Sequence, residues 1–195
     1  MEESVESLER GLVRLNSLTQ AEALKELLKC CGSTRWAKRM FDKLPFHDFQ
    51  QMLTESDRIW SSLEREDWLE AFRSHPKIGE KKAAQPQQPA AQNWSQEEQS
   101  GTREAGRELL DQLAELNRDY EKKFGYIFII CATGRTSEEM LASLRERLHN
   151  DADTELRIAA EEQRRITHLR LRKLLKESES PRVWSLGVKK QKAFD

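Results

Sequence analysis

Apolar residues recur at three- and four-residue intervals along most of this chain, and helix breakers are scarce, with eight glycines and five prolines among 195 residues. Such spacing lines side chains along one stripe of a helix, whereas a half-buried strand needs strict alternation. The pattern predicts an all-α protein built as a single-domain multi-helix bundle. At this length one hydrophobic core is expected and a second independent one is not. The domain is placed at residues 1–176, and residues 177–195 are expected to be a loosely ordered tail in which Val183 and Trp184 are the docking candidates.

Capping signals set the helix boundaries. Thr19 with Glu22, Ser95 with Glu98 and Thr136 with Glu139 each stand in the Ser/Thr-x-x-Glu relation of a capping box. The first opens a helix with Ala23, Leu24, Leu27, Leu28 and Cys31 near one face, stopped by Gly32. A short helix from Trp36 to about Lys43 follows. Phe49, Met52, Leu53, Ile59, Trp60 and Leu63 mark the next, and residues 67–74 form a helix that delivers the chain to His75. From Ser95 one long helix is predicted to about Lys123, weakened near its start by Gly101 and Gly106. Thr136 opens a helix to about Asn150, and the last begins near Asp153. Residues 124–132 are the exception, too rich in β-branched and aromatic side chains for a comfortable helix, and read as a buried extended passage across the core.

Charge narrows the function. Charged residues make up 34% of the chain yet the net charge is -1, which gives no overall attraction for nucleic acid or an anionic membrane. No apolar run reaches the ~20 residues of a membrane span, and the N-terminus is acidic where a signal peptide is basic. The C-terminal Lys-Ala-Phe-Asp is not a peroxisomal Ser-Lys-Leu address, so a cytoplasmic location is expected. Three cysteines without a CxxC spacing and four histidines without an HExxH pattern argue against a disulfide framework or a metal site.

The residue types best suited to chemistry flank the Gln- and Pro-rich residues 85–93. Pro76 disfavours helical dihedrals at His75, so the imidazole is expected at the rim of the preceding helix. Beyond the polar run stand Trp94, Ser95, Glu98 and Gln99. Taken singly, these have plain alternatives: a histidine at a helix end is an ordinary surface residue, and Ser95 with Glu98 need only start a helix. Arg170 belongs to a basic run whose default meaning is a solvated face, but its spacing from Ile166 and Leu174 puts it on the apolar side. His47, His149 and His168 are expected to be structural or solvent-facing.

Taken in order, the His-Pro-Lys-Ile-Gly turn, the Trp-Ser-x-x-Glu-Gln-x-Gly segment, the apolar passage and Leu169-Arg170-Leu171 resemble the 2-oxo-4-hydroxy-4-carboxy-5-ureidoimidazoline (OHCU) decarboxylase family over roughly residues 10–176. The resemblance implies a cofactor-free enzyme, usually a homodimer, that converts this product of urate oxidation and ring hydrolysis into (S)-allantoin. It implies catalytic roles for His75 and Glu98, and substrate contacts for Pro76, Ser95, Gln99, Phe128, Ile129 and Arg170, the Phe128 and Ile129 contacts being through backbone groups. An imidazole titrating near neutrality would manage a proton in such a reaction. The competing function is a catalytically inactive helical interaction module that uses the basic face of residues 164–173 and the Trp184 tail. Binding of RNA or DNA by that basic helix is a weaker third.

Overall fold

The computed structural model describes residues 2–78, 89–100 and 106–176. Among these, nine helices occur: α1 Glu2–Asn16, α2 Gln20–Cys30, α3 Thr34–Phe41, α4 Phe49–Ser61, α5 Arg65–Arg73, α6 Pro89–Glu98, α7 Arg107–Phe124, α8 Ser137–Arg147 and α9 Ala152–Lys176. The all-α reading holds. The boundaries of α2 and α8 follow the sequence signals: the Thr19 and Thr136 side chains each accept from the N3 backbone while Glu22 and Glu139 reach back.

The helix α9 is the axis of the molecule, touching α1, α2, α4 and α5, with α6 against α2 and α7 against α8. Its contact face explains this placement. Leu156, Ala159, Ala160, Gln163, Ile166, Thr167, Arg170, Leu171, Leu174 and Leu175 are all buried, a stripe at three- and four-residue spacing that runs its full length. Small residues permit the closest approach. At Gly11 in α1 an added Cβ would lie 2.0 Å from the Leu175 carbonyl oxygen, so only glycine lets α1 settle on the end of α9. Trp60 ties α4 to α9 by donating its indole N–H to the Ala160 carbonyl at 2.9 Å.

Residues 126–130 belong to no helix or strand and are all buried, as the apolar composition predicts. Gly125 makes the corner. It holds φ 80, donates its N–H to the Glu121 carbonyl at 2.8 Å and ends α7 in the left-handed cap that glycine favours.

One expectation fails. The long helix from Ser95 is instead two helices, and Ser95 lies inside α6, donating its hydroxyl to the Ala91 carbonyl at 2.9 Å. The Ser95 and Glu98 pair is therefore not a capping box. The physical reason lies in Glu98, whose carboxylate pairs at two points with the buried Arg170 guanidinium, a stronger partner than a neighbouring backbone N–H. Pro89 stands at the start of α6, where its missing N–H costs nothing, and Gly106 is the extended N-cap of α7. The polar run is thus partly helical, and Ala91 from it is buried. The tail and its Trp184 lie outside the described residues, as do Gly79 and Gly101.

Candidate active site

Three elements converge on one small cavity. His75 enters from the turn after α5, Ser95, Glu98 and Gln99 from the end of α6, and Phe128 and Ile129 from the apolar passage; Ile78, Ile130, Ala132, Thr133 and Ile166 complete the wall. Six of the eight side chains or backbones singled out from the sequence therefore share it. The other two do not line it: Pro76 is buried beside His75, and Arg170 stands behind Glu98. The cavity holds about 20 Å³, room for about one water molecule.

Arg170 is 1% exposed and fully occupied with orienting α6. Its Nε donates to Glu98 Oε1 at 3.0 Å, one Nη to Glu98 Oε2 at 2.7 Å and to Ser95 Oγ at 2.9 Å, and the other Nη to the Lys29 carbonyl at 3.4 Å. A planar fork on a planar carboxylate fixes both the position and the rotation of Glu98. Lys173, one turn along α9, lies 3.8 Å from Glu98 Oε1 and adds a second positive charge.

His75 has no such partner. It is 7% exposed, and its Nε2 is buried with no hydrogen bond of good geometry. Burial, reinforced by the positive charge of Arg170, pushes its pKa down to about 3, against a smaller upward pull from a hydrogen bond with the Gln163 side chain. The expectation of an imidazole titrating near neutrality and standing at a rim is thus corrected. Desolvation keeps His75 neutral, with one nitrogen free to accept a proton.

The passage is held rigidly from behind by groups that the sequence reading passed over. Arg147 donates to the Ile129 carbonyl at 2.8 Å, stacks over the Phe128 ring at 4.5 Å and pairs with Glu155 Oε1 at 2.6 and 2.9 Å. Glu162 accepts the Cys131 N–H at 2.7 Å. With the Ile129 carbonyl so engaged, what this residue can still offer the cavity is its N–H. The signal for Arg147 was available, since an arginine three residues after Leu144 falls near the apolar side of α8.

The remaining histidines divide. His47 and His149 are exposed as expected, whereas His168, for which no partner was foreseen, meets Asp57 Oδ1 at 2.5 Å. Cys30 and Cys31 are buried, and burial pushes the Cys31 thiol up to about 12 and Cys30 higher still, so neither is a nucleophile. No group of three or more metal-ligating side chains occurs among the described residues, and no described helix is long and apolar enough to cross a membrane. A larger cavity of about 560 Å³ lies between α1 and the start of α4, but of its titratable residues Glu9 and His47 are exposed and Asp48 caps α4. The chemistry is concentrated in the smaller one.

Comparison with known proteins points the same way. A sequence model described as OHCU decarboxylase matches residues 16–172. The chain is 42% identical over 145 residues to the uric acid degradation bifunctional protein TTL of Arabidopsis thaliana, covering 74% of this chain and 45% of that protein. It is 30% identical over 175 residues to the 2-oxo-4-hydroxy-4-carboxy-5-ureidoimidazoline decarboxylase of Mus musculus, covering 84% and 92%. The fold is similar to a crystal structure of OHCU decarboxylase in the presence of (S)-allantoin, with a TM-score of 0.67, 41% identity, and coverage of 77% of this chain and 97% of that one. The chain spans less than half the length of the bifunctional relatives from Arabidopsis thaliana and Bacillus that it matches.

Proposed function

The chain belongs to the OHCU decarboxylase family, and from that premise we propose that it decarboxylates 2-oxo-4-hydroxy-4-carboxy-5-ureidoimidazoline to (S)-allantoin in urate degradation. The observation that carries the proposal is a neutral buried imidazole and an arginine-clamped carboxylate on the wall of one cavity.

Each step asks little of the protein. The bond between the ring carbon and the carboxylate breaks, carbon dioxide leaves, and the electron pair flows into the adjacent ring C=N, so the substrate is its own electron sink. The ring carbon that bore the carboxylate then becomes a carbonyl as its hydroxyl loses a proton, and the neighbouring carbon and the ring nitrogen that took the pair each gain one, the net proton coming from water. In this reading the anionic substrate, seated beside His75, raises the low proton affinity that burial and Arg170 give the free ring, and the imidazole lone pair accepts the hydroxyl proton. Glu98, fixed by Arg170, holds that hydroxyl in place. Ser95 and Gln99 bind the ureido or ring polar groups, and N–H groups of the passage at Phe128 and Ile129 stabilise negative charge on the ring as the pair arrives. Pro76 sets the backbone that presents His75, and Arg170 acts through Glu98. Proton delivery to one face yields one enantiomer.

The test is to mix purified protein with substrate freshly generated from urate and follow the optical rotation of allantoin. A decarboxylase gives a rapid, enantiomerically pure rise. An inactive interaction module leaves the slow spontaneous racemic reaction unchanged. A homodimer in the cytoplasm is the setting we propose for this activity, and sedimentation at micromolar concentration tests the assembly.

A further inference from the structure

We infer that Gln163 is the positioning residue for His75: its side-chain oxygen accepts the imidazole Nε2–H and so leaves Nδ1 as the unprotonated nitrogen that faces the reaction. The argument begins with Thr167. Its hydroxyl donates to the Gln163 backbone carbonyl at 3.0 Å, so its one hydrogen is spent and the oxygen can only accept. Gln163 Nε2 donates to that oxygen at 3.2 Å. The amide orientation is thereby settled, with the NH₂ group toward Thr167 and Oε1 on the other side.

Gln163 is wholly buried, and its Oε1 has no partner of good geometry. A buried carbonyl oxygen needs a donor. His75 Nε2 is likewise buried and unpartnered, and His75 shares the cavity wall with Ile166, which lies on the buried stripe of α9 that also carries Gln163 and Arg170. Two orphans of opposite character, one able to donate and one able only to accept, satisfy each other. The upward pull of Gln163 on the His75 pKa is the sign expected when the glutamine accepts rather than donates. Among the described residues the charged groups that face the imidazole are Arg170 from α9 and Glu98 from α6, both engaged with each other. A ring that is neutral at working pH carries one N–H, and committing it to Gln163 decides which nitrogen is basic.

The inference rests on the reading of His75 as the proton acceptor, but its test does not depend on turnover. Protein labelled with ¹⁵N in its histidine rings is examined without substrate near pH 7. The wild type is expected to show His75 as a single tautomer with the proton on Nε2. Gln163→Leu is expected to mix or reverse the tautomers, and Gln163→Glu to bring the protonated ring into the observable range by placing a negative charge on the N–H. In turnover assays Gln163→Leu lowers kcat by about tenfold or more while KM moves less than about threefold, a split that a general loosening of the fold does not give. Thr167→Val, which frees the amide to turn, gives a smaller effect in the same direction. A wild-type His75 protonated on Nδ1 overturns the inference even if the enzyme is active and even if Gln163→Leu does not fold. Unchanged tautomer and unchanged kcat in Gln163→Leu overturn it equally.

Discussion

Two buried carboxylate–guanidinium pairs stand beside the passage, one bonded to the Ile129 carbonyl and one on the wall of the cavity that Phe128 and Ile129 line, and they are built to different ends. Glu155, wholly buried, is saturated: Oε1 takes Arg147 Nε and Nη together with the Tyr120 hydroxyl, and Oε2 takes Asn150 at 2.8 Å. Neither of the two cavities described above is lined by it, and burial raises the Tyr120 pKa far above that of an ordinary phenol. Glu98 has comparable burial and an equally good arginine, but it shares its cavity with an imidazole that neither carboxylate nor guanidinium engages. A completed network rigidifies a core, and an incomplete one beside a cavity keeps polar capacity for a ligand. The first positions Phe128 and Ile129; the second shares with them the wall of the cavity.

This contrast predicts opposite mutational signatures. The largest effect is expected at His75. His75→Ala should lower the decarboxylation rate by about 10²–10⁴-fold, the usual range for a lost acid–base group, with helical circular dichroism retained and only a modest fall in thermal midpoint, because removing a buried neutral ring strands no charge. A large fall in midpoint would place His75 with the structural groups. Glu98→Ala should also slow the reaction sharply, but with a cost in stability, since it strands Arg170 in the core.

At the saturated pair the balance reverses. Glu155→Ala leaves a buried Arg147 uncompensated and should cost about 3–5 kcal/mol of stability by urea denaturation. Activity in the remaining folded fraction should fall far less than in His75→Ala. Should Glu155→Ala fold normally and yet be inactive, the division between the two pairs would be wrong.

The pH dependence comes next. The folded pKa of His75 is lowered to about 3 from 6.5, so between these values the unfolded chain binds a proton that the folded protein does not. Stability contributed by the neutral ring is therefore full above about pH 6.5 and is lost as pH falls toward about 3, with a slope of up to ~1.4 kcal/mol per unit. Denaturation midpoints of wild type and His75→Gln between pH 4 and 7 should diverge accordingly. In kcat/KM no limb from free His75 is expected near pH 6.5.

The sequence was most legible where one physical rule acted alone. Periodicity revealed the bundle, Thr19 and Thr136 marked their helices, and the composition of residues 124–132 indicated the buried passage. Ordered motifs also drew attention to His75, Glu98 and Arg170, which the fold brings together across almost a hundred residues of chain. What stayed hidden was competition between partners. The Ser95 to Glu98 spacing suits a helix start, but Arg170, seventy-two positions away, outbids the local backbone. Burial of His75 was equally unreadable, because desolvation depends on every wall of the cavity rather than on the residue before a proline. Gln163, set in a run of charged residues, gave no local sign of facing inward beyond its three-residue offset from Ile166 and four-residue offset from Thr167.

The smallest predicted effect sharpens the comparison most. Tyr120→Phe keeps the ring that packs edge-on against Phe128 at 5.3 Å and Tyr126 at 5.8 Å, and removes only the hydroxyl that donates to Glu155. Glu155 Oε1 then still holds two bonds from Arg147, so no charge is stranded and the loss should be about 1–2 kcal/mol, well below that of Glu155→Ala. If saturation is what makes this pair structural, a network with bonds to spare should tolerate the change with the decarboxylation rate unmoved at 25 °C. A tenfold loss of activity with stability intact would mean instead that the hydroxyl reaches the reaction through the passage, and that the two pairs form one functional unit.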